Sequence, residues 1–331
     1  MIMKVPFSAE VLKLDGRLEI ERITMALRDA LTGKLHKRGL VLGISGGIDS
    51  SVTAALCVRA VGKDRVLGLQ MPERDSAEDT LSLSTLIADH LGIPRIFSDI
   101  SPILEAIGGY AKYDEAVRSV IPEYGPGWKS KIVLPGLDRE RAYPLFSIVA
   151  VAPDGALIKK RLDLNAYLAV VAATNFKQRI RKMLEYYHAD KLNYAVAGTP
   201  NRLEYDQGFF VKLGDGAADV KPIAHLYKTQ VYQLARDLEL PEAIVRRPPT
   251  TDTYSLPQGQ DEFYFSVSYQ VLDLCLYGKN HGVDAETLSR HTGLSSQQVL
   301  DIYKDIDRKR SATRYLHLPP LLAAPVPEIA L

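Results

Sequence analysis

The sequence predicts an α/β fold in which a doubly wound parallel sheet carries helices on both of its faces. Short apolar runs of strand length alternate along the chain with longer segments of helical periodicity, which is typical of parallel βαβ units. The predicted strands are 40–44, 66–70, 95–97 and 193–197. The predicted helices are 17–33, 50–61, 73–90 and 175–188. In such a sheet, ligands bind beyond the carboxyl ends of the strands.

Two regions depart from this alternation. In the segment 101–165, two strand-like runs around Pro153-Asp-Gly155 predict a β-hairpin. An inserted flap and a dimer contact both fit that segment. The domain prediction is a main domain at 1–280, which carries this insertion, and a helical C-terminal extension with a proline-rich tail at 281–331.

The composition is that of an ordinary globular protein and disfavours several functional classes. The 331 residues are 46% apolar and 24% charged with a net charge of +1, so no overall field attracts nucleic acid or an anionic membrane. The two cysteines, Cys57 and Cys275, lie among apolar residues without metal-ligand or redox spacing. A signal-peptide pattern and a bilayer-length apolar stretch are both missing from the sequence. We expect a cytoplasmic enzyme without nucleic-acid or membrane partners.

A glycine-rich turn joins the first predicted strand to the next helix. It reads Gly-Ile-Ser-Gly-Gly-Ile-Asp-Ser over residues 43–50. A strand, a glycine turn and a helix N-terminus together aim backbone N–H groups at one point, and such a nest binds phosphate. The turn lacks the lysine of a Walker A loop and the third glycine of a dinucleotide fingerprint. It resembles instead the pyrophosphate loop, or PP-loop, of enzymes that cleave ATP to AMP and pyrophosphate. A plain structural turn is the alternative.

A second group of polar residues follows the fourth predicted strand. Glu204, together with Asp49, offers two carboxylates of the kind that hold Mg²⁺ beside phosphate oxygens. Lys228 lies near a predicted helix start, where it can neutralise the charge of a departing pyrophosphate. The turn Gly214-Asp-Gly216 is predicted to carry a carboxylate over the site. Taken singly, Glu204 and Lys228 are more often surface charges, but their order and spacing favour a site.

These motifs resemble the NAD synthase family, PP-loop ATP pyrophosphatases that amidate the nicotinate carboxylate of deamido-NAD. The resemblance covers about residues 17–100 and 170–310 and implies an adenine-nucleotide α-hydrolase-like fold. The matching motifs are Asn175-x-Lys-x-Arg179, Gly198-Thr-x-Asn-x-x-Glu204, Gly208-Phe-Phe-x-Lys-x-Gly-Asp-Gly-x-x-Asp219, Leu226-Tyr-Lys-Thr-Gln-Val231 and Pro249-Thr250.

The resemblance implies roles for individual residues. ATP would be bound by Gly43, Ser45, Gly46, Gly47, Asp49, Ser50, Thr199, Lys228 and Thr250. The acceptor would be bound by Asn175, Arg179, Lys212, Asp219, Lys309 and Arg310. Catalysis would involve Lys228, Asp215 and Asp219, and Mg²⁺ would be held by Asp49 and Glu204.

The resemblance also implies the reaction and its partners. The acceptor carboxylate would attack the α-phosphorus of ATP to form an acyl-adenylate, which ammonia would then convert to the amide. Enzymes of this family are homodimers. Only about forty residues precede the PP-loop, fewer than the amidase domain of glutamine-dependent members. We therefore expect free ammonia, or a separate glutaminase subunit, to supply the nitrogen.

The departures from the family pattern lie on the acceptor side of the predicted site. The segment 101–165 lengthens the chain before Asn175, and Gln178 replaces the usual alanine. Val171 stands where an aromatic residue is expected to stack on the pyridine ring, and residues 251–260 replace a shorter run. A related PP-loop amide ligase that acts on another carboxylate is therefore the alternative function.

Two further features have more than one interpretation. Residues 285–299 resemble a helix-turn-helix, which would make the protein a DNA-binding regulator. The few basic side chains on the second helix favour a packed helical pair instead. A group of aromatic residues either lines the acceptor pocket or packs against the inserted hairpin, and we favour packing: Tyr254, Phe263, Tyr264 and Phe265.

Overall fold

The computed structural model describes residues 7–133, 146–249, 254–256 and 267–328. The strands are β1 (Leu40–Gly43), β2 (Val66–Gln70), β3 (Arg95–Phe97), β4 (Lys129–Val133), β5 (Ser147–Val151), β6 (Leu157–Arg161) and β7 (Ala195–Val196). The helices are α1 (Gly16–Asp29), α2 (Ile48–Val61), α3 (Thr80–Leu91), α4 (Ser101–Ala106), α5 (Gly109–Arg118), α6 (Leu164–Leu192), α7 (Arg202–Gln207), α8 (Lys228–Asp237), α9 (Glu242–Val245), α10 (Tyr269–Asn280), α11 (Ala285–Thr292) and α12 (Ser296–Thr313).

The central sheet is parallel, with strand order β3-β2-β1-β7. Because successive side chains of a strand point to opposite faces of the sheet, β1 contributes side chains to both faces. Leu40 and Leu42 enter an apolar cluster with α1, α2 and α8, whereas Val41 enters a second cluster with α4 and α6. Helices therefore cover both faces, and the predicted doubly wound fold is confirmed.

Helix α6 is much longer than the predicted 175–188. Asp163 caps its N-terminus by accepting a hydrogen bond from Ala166 N at 2.8 Å, and Asn193 ends it in a left-handed conformation. Since β7 follows α6 and lies parallel to β1, α6 runs antiparallel to β1. A Cβ built on Gly43 would lie 3.1 Å from Glu185 Oε1, so the part of α6 before Glu185 extends beyond the carboxyl edge of the sheet.

The inserted segment forms a small layer of its own. The hairpin predicted around Pro153-Asp-Gly155 is present as β5 and β6, and β4 completes a three-stranded antiparallel sheet. The first part of the segment is helical instead, as α4 and α5, which the sequence did not predict. Ile132 and Ile148 of the sheet share an apolar cluster with Val170 of α6. The insertion is therefore attached to the overhanging part of α6.

The C-terminal helices form another packed unit. Leu288 of α11 and Val299 and Ile302 of α12 are buried against α10, so the predicted helix pair uses its apolar faces for internal packing. The segment after α12 leaves Leu321 and Leu322 exposed. Among the described residues, no helix has the length and apolar character needed to cross a membrane.

Candidate active site

The PP-loop lies between β1 and α2 and is held by its own hydroxyl groups. Ser45 Oγ lies 3.2 Å from Ser50 Oγ and accepts a hydrogen bond from Gly47 N at 3.2 Å. Ser50 Oγ in turn donates to the Gly47 carbonyl at 3.0 Å. Gly46 has a φ of 71°, in the left-handed region that glycine adopts without strain. The loop thus places its N–H groups at the N-terminus of α2, an arrangement that suits an anion.

Helix α3 and Arg247 both contact the backbone of the PP-loop. A Cβ on Gly46 would lie 2.4 Å from the Cβ of Leu83, so the loop backbone touches α3 directly. Arg247 donates from Nη1 to the Ser45 carbonyl at 3.1 Å, and from Nη2 to Asp79 Oδ1 at 2.7 Å and Thr80 Oγ1 at 3.1 Å. One guanidinium therefore joins the loop to the start of α3.

Three charged side chains from distant parts of the chain meet beside the loop. The Lys228 ammonium donates to the Asp49 carboxylate, which also accepts a hydrogen bond from Asn201 Nδ2 at 3.2 Å. Glu204 Oε2 accepts from Asn201 N at 3.0 Å in a capping box at the start of α7. Asn201 thus joins the two carboxylates that the sequence predicted as metal ligands.

Burial sets the charge states in this cluster. Burial and the nearby Asp49 carboxylate raise the pKa of Glu204 to about 8, although Lys228 opposes them. Burial disfavours the charged form of Lys228, but Asp49 and Glu204 outweigh it and raise the pKa of the ammonium. Lys228 therefore stays protonated as the central cation of the cluster. Asp273 fixes its backbone by accepting hydrogen bonds from Lys228 N at 3.2 Å and Thr229 N at 2.7 Å.

A cavity of about 410 Å³ opens over the PP-loop at the carboxyl edge of the sheet. It is lined by the ends of β1 and β2, by α3 and by one face of α6. The predicted residues that line it are Gly43, Ser45, Gly47, Asp49, Ser50, Asn175, Thr199, Glu204, Asp215 and Lys228. The fold thus gathers most of the predicted ATP-binding residues around one space, together with Asn175 from the acceptor group.

Asp215 and Asp219 both accept hydrogen bonds from backbone N–H groups. Asp215 accepts from Val211 N at 2.8 Å and holds the turn after α7, while burial raises its pKa. Asp219 accepts from Val196 N at 2.7 Å and does not line the cavity. A catalytic role for either residue stays a prediction.

The other predicted acceptor residues contact the protein rather than line the cavity. Arg179 Nε donates to the Lys212 carbonyl at 3.3 Å, and Lys212 Nζ donates to the Tyr315 carbonyl at 2.9 Å. Lys309 pairs with Asp305, and Arg310 forms a two-pronged pair with Asp206 at 2.6 and 2.7 Å. Thr250, predicted to bind ATP, lies outside the described residues, as do Phe263, Tyr264 and Phe265.

The structure adds residues to the site for which the sequence predicted no role. Asn201 had a detectable signal, because an asparagine three residues before a glutamate marks a capping box. Arg247 had none, since its partners Ser45 and Asp79 are far away in sequence. Lys182 and Glu185, a buried pair at 2.5 Å on α6, also line the cavity. In the ranges that the structure describes, no group of three or more histidine, cysteine or acidic side chains could hold a metal.

Comparisons with known proteins agree with this geometry. The family model for NAD synthase matches residues 19–122 and 145–314. The NH(3)-dependent NAD(+) synthetase of Mesorhizobium japonicum is 55% identical over 318 residues, which cover 96% of this chain and 100% of the relative. The protein of the same name from Rhizobium meliloti is 56% identical over 326 residues, or 98% of this chain and 97% of that one.

A solved structure extends the likeness to the fold. The NMN synthetase from Francisella tularensis matches with a TM-score of 0.64 at 22% identity, over 94% of this chain and 99% of its own. At this identity, the match concerns the fold alone. The sequence relatives decide the family: with its PP-loop, its acidic pair and its buried lysine in one cavity, the chain belongs to the NAD synthase family.

Proposed function

We propose that this enzyme amidates the nicotinate carboxylate of deamido-NAD with ammonia and consumes ATP, releasing NAD, AMP and pyrophosphate. Family membership carries this proposal, because relatives that match nearly the whole chain are NH(3)-dependent NAD(+) synthetases. The cavity also supports it. Its lining includes the PP-loop, the charged cluster of Asp49, Glu204 and Lys228, and the face of α6 that carries Asn175.

The chemistry takes two steps. One carboxylate oxygen of the acceptor bonds to the α-phosphorus of ATP while the bond to the bridging α–β oxygen breaks, and pyrophosphate leaves. Ammonia then bonds to the carbonyl carbon, AMP departs as the C–O bond breaks, and the nitrogen releases a proton to solvent. The N–H groups of the PP-loop and the Lys228 ammonium stabilise the charge that collects on the leaving pyrophosphate. No side-chain nucleophile is needed.

Asp49 and Glu204 fit a magnesium ion. Burial, and after it repulsion from the Asp49 carboxylate, raises the pKa of Glu204 to about 8 even beside Lys228, so an additional positive charge would stabilise the ionised pair. Mg²⁺ commonly binds through one or two carboxylates and completes its shell with water and phosphate oxygens. When bound, it would neutralise phosphate charge and orient the leaving pyrophosphate.

On the acceptor side, we propose that Asn175 orients the acceptor, because it lies on the cavity face of α6. We further propose a homodimer. Leu164, Leu168, Met183 and Tyr187 of α6 are each more than half exposed, and a second copy would cover this apolar surface. Light scattering on the purified protein tests the dimer. We place the reaction in the cytoplasm with free ammonia as the nitrogen donor, and ammonium without glutamine should sustain full turnover.

The decisive experiment incubates purified protein with ATP, Mg²⁺, ammonium chloride and deamido-NAD and separates the products by chromatography. We expect equal amounts of NAD, AMP and pyrophosphate. The appearance of ADP and orthophosphate would refute the proposed ATP chemistry. Release of AMP with a different carboxylate, and none with deamido-NAD, would support the alternative acceptor instead.

A further inference from the structure

The segment that follows α9 borders the cavity at two places. Residues 247–249 line the cavity at the first place and Tyr254 lines it at the second. At the first place, Arg247 donates to the Ser45 carbonyl of the PP-loop at 3.1 Å. At the second, Tyr254 hydrogen-bonds to Thr174, which lies on the cavity face of α6. The described parts of this segment therefore border the cavity beside the PP-loop and beside α6.

Tyr254 separates the cavity from the insertion. Only 6% of the residue is exposed, although it lines the cavity. It belongs to the apolar cluster that contains Ile132 and Ile148 of the inserted sheet, and its ring centroid lies 6.4 Å from that of Tyr113 on α5. Tyr254 therefore packs against the insertion, as expected, and also forms part of the cavity wall.

The next residue, Ser255, attaches this part of the wall to β4. In the inserted sheet β4 is an edge strand, and the outer edge of such a strand has backbone groups that need partners. Ser255 Oγ accepts a hydrogen bond from Ser130 N at 2.8 Å and donates one to the Ser130 carbonyl at 3.4 Å. Leu256 N donates to the same carbonyl at 3.3 Å. Ser255 and Leu256 therefore bind to the outer edge of β4.

The attachment point on β4 is itself fixed within the insertion. Ser130 is fully buried, and its Oγ lies 2.9 Å from the hydroxyl of Tyr113 and 3.0 Å from that of Tyr124. The family model matches residues 19–122 and resumes at residue 145, so β4 lies outside the matched ranges. The strand that holds Ser255 is therefore a feature that the family model does not describe.

We propose that Ser255 is a positioning residue that holds Tyr254 in the cavity wall and thereby keeps bulk water away from the acyl-adenylate. This inference rests on the proposed function, in which that intermediate forms in the cavity. Ser255 does not line the cavity, so it acts through Tyr254. Because Tyr254 is almost completely buried between the cavity and the insertion, its removal from the wall would open the cavity to solvent.

An open wall would allow a second reaction to compete with amide formation. The oxygen of a water molecule would bond to the carbonyl carbon of the acyl-adenylate, and the C–O bond to AMP would break. The acceptor carboxylate would be regenerated, and the protons of the water would pass to solvent. Each such event consumes ATP and releases AMP and pyrophosphate without NAD. The yield of NAD per AMP therefore measures how well the wall excludes water.

The test measures NAD and AMP in the same reaction of purified protein with ATP, Mg²⁺, ammonium chloride and deamido-NAD. Ser255→Ala removes the hydroxyl that binds to β4. We expect wild type to form equal amounts of the two products, and the variant to form NAD for only about half of the AMP it releases. A higher ammonium concentration should restore the yield, because ammonia competes with water for the same carbon. A variant that is only less stable would lose both products in proportion.

Three further variants sharpen the test. Tyr254→Leu shortens the wall residue directly and should lower the yield at least as far, and the double variant should be no worse, because both changes act on one wall. Ser255→Thr keeps a hydroxyl and should retain most of the wild-type yield. Ser119→Ala is the matched control: this exposed serine follows α5 in the same insertion and donates to the Ala116 carbonyl at 2.7 Å. We expect it to leave the yield unchanged.

Each contrary outcome has a distinct meaning. A wild-type yield in Ser255→Ala, with a lowered yield in Tyr254→Leu, would overturn the role of Ser255. A wild-type yield in both variants would overturn the wall as well. A lowered yield that ammonium does not restore would exclude water as the competitor and would also overturn the proposal. If the wild type releases AMP but makes no NAD from deamido-NAD, the proposed function itself fails, which is distinguishable from a coupled wild type with coupled variants.

Discussion

The two sides of the cavity are built by different means. The proposed ATP side consists of short loops at the sheet edge, in which the PP-loop, Asp49 and Lys228 are fixed by hydrogen bonds and opposite charge. The proposed acceptor side consists of the overhanging part of α6 and the inserted sheet, which are held together by apolar packing. Removal of one charged or hydrogen-bonding atom abolishes the whole interaction, whereas an apolar contact weakens in proportion to the side-chain volume that is removed. Substitutions should therefore act sharply on the ATP side and in a graded way on the acceptor side.

The largest effect is expected from Asp49→Asn. The change keeps the shape of the side chain but removes the charge that faces Lys228 and one proposed magnesium ligand. We expect kcat to fall about a thousandfold, measured as pyrophosphate release. Asp89→Asn, an exposed carboxylate on α3, is the control. A loss of less than tenfold would show that the charged cluster is not central to the ATP side.

Lys228→Met should have the next largest effect. Methionine fills the buried position, but Asp49 and Glu204 then face each other without a cation between them. We expect a loss of about a hundredfold in kcat, the size typical of one preorganised electrostatic contact. Stability should also fall, so unfolding must be measured alongside. Lys304→Met, at an exposed lysine on α12, should leave both properties unchanged.

A pair of glycine substitutions compares the two sides directly. Gly46→Ala puts a methyl group 2.4 Å from Leu83 Cβ and 2.8 Å from the Leu83 carbonyl carbon, at a φ of 71°. We expect the PP-loop to shift and kcat/KM for ATP to fall about thirtyfold. Gly155→Ala has a φ of 88° but nothing within 4 Å, so only backbone strain of about 1 kcal/mol opposes it. Equal losses of activity would contradict the contrast between the two sides.

Arg247→Ala tests whether a side chain outside the PP-loop sets its geometry. Without the guanidinium, the Ser45 carbonyl loses its link to Asp79 and Thr80. We expect the KM for ATP to rise about tenfold with an unchanged KM for deamido-NAD. Arg247→Lys should recover only part of the loss, because one ammonium cannot replace a fork of donors. The neighbouring exposed Arg246 provides the control, as Arg246→Ala.

The smallest effect concerns the contact of Glu19 on α1 with Arg22 and His225. Burial opposes ionisation of Glu19, but hydrogen bonds from Arg22 and His225 outweigh it and hold the pKa of Glu19 below its usual value. A lowered pKa contributes stability above the unfolded value of 4.5, and this is lost as the pH falls through the folded pKa. Glu19→Gln should therefore cost about 0.5 kcal/mol at pH 7 and less at pH 3, measured by urea unfolding. An equal cost at both pH values would exclude the charge as its source.

The sequence alone predicted the phosphate-binding loop and the carboxylates beside it. The order strand, glycine turn, helix predicts a phosphate nest, because the N–H groups come from neighbouring residues. The alternation of strands and helices then determined the parallel sheet, and with it the edge at which Asp49 and Glu204 meet. The hairpin at Pro153-Asp-Gly155 was also predictable, since a two-strand turn is a local structure.

Only the tertiary structure decided the acceptor side. The length of α6, the third strand of the insertion and the contact between Phe146 and Tyr167 depend on residues far apart in sequence. The same holds for Arg247, whose partners on the PP-loop and α3 are more than 160 residues away. The motifs of the family include Arg179, Lys212 and Arg310. Their side chains bond to other parts of this chain and do not line the cavity. Local backbone geometry depends on neighbouring residues and can therefore be predicted from the sequence. An apolar side chain can pack against any apolar surface of the right shape, so only the fold decides which partner it contacts.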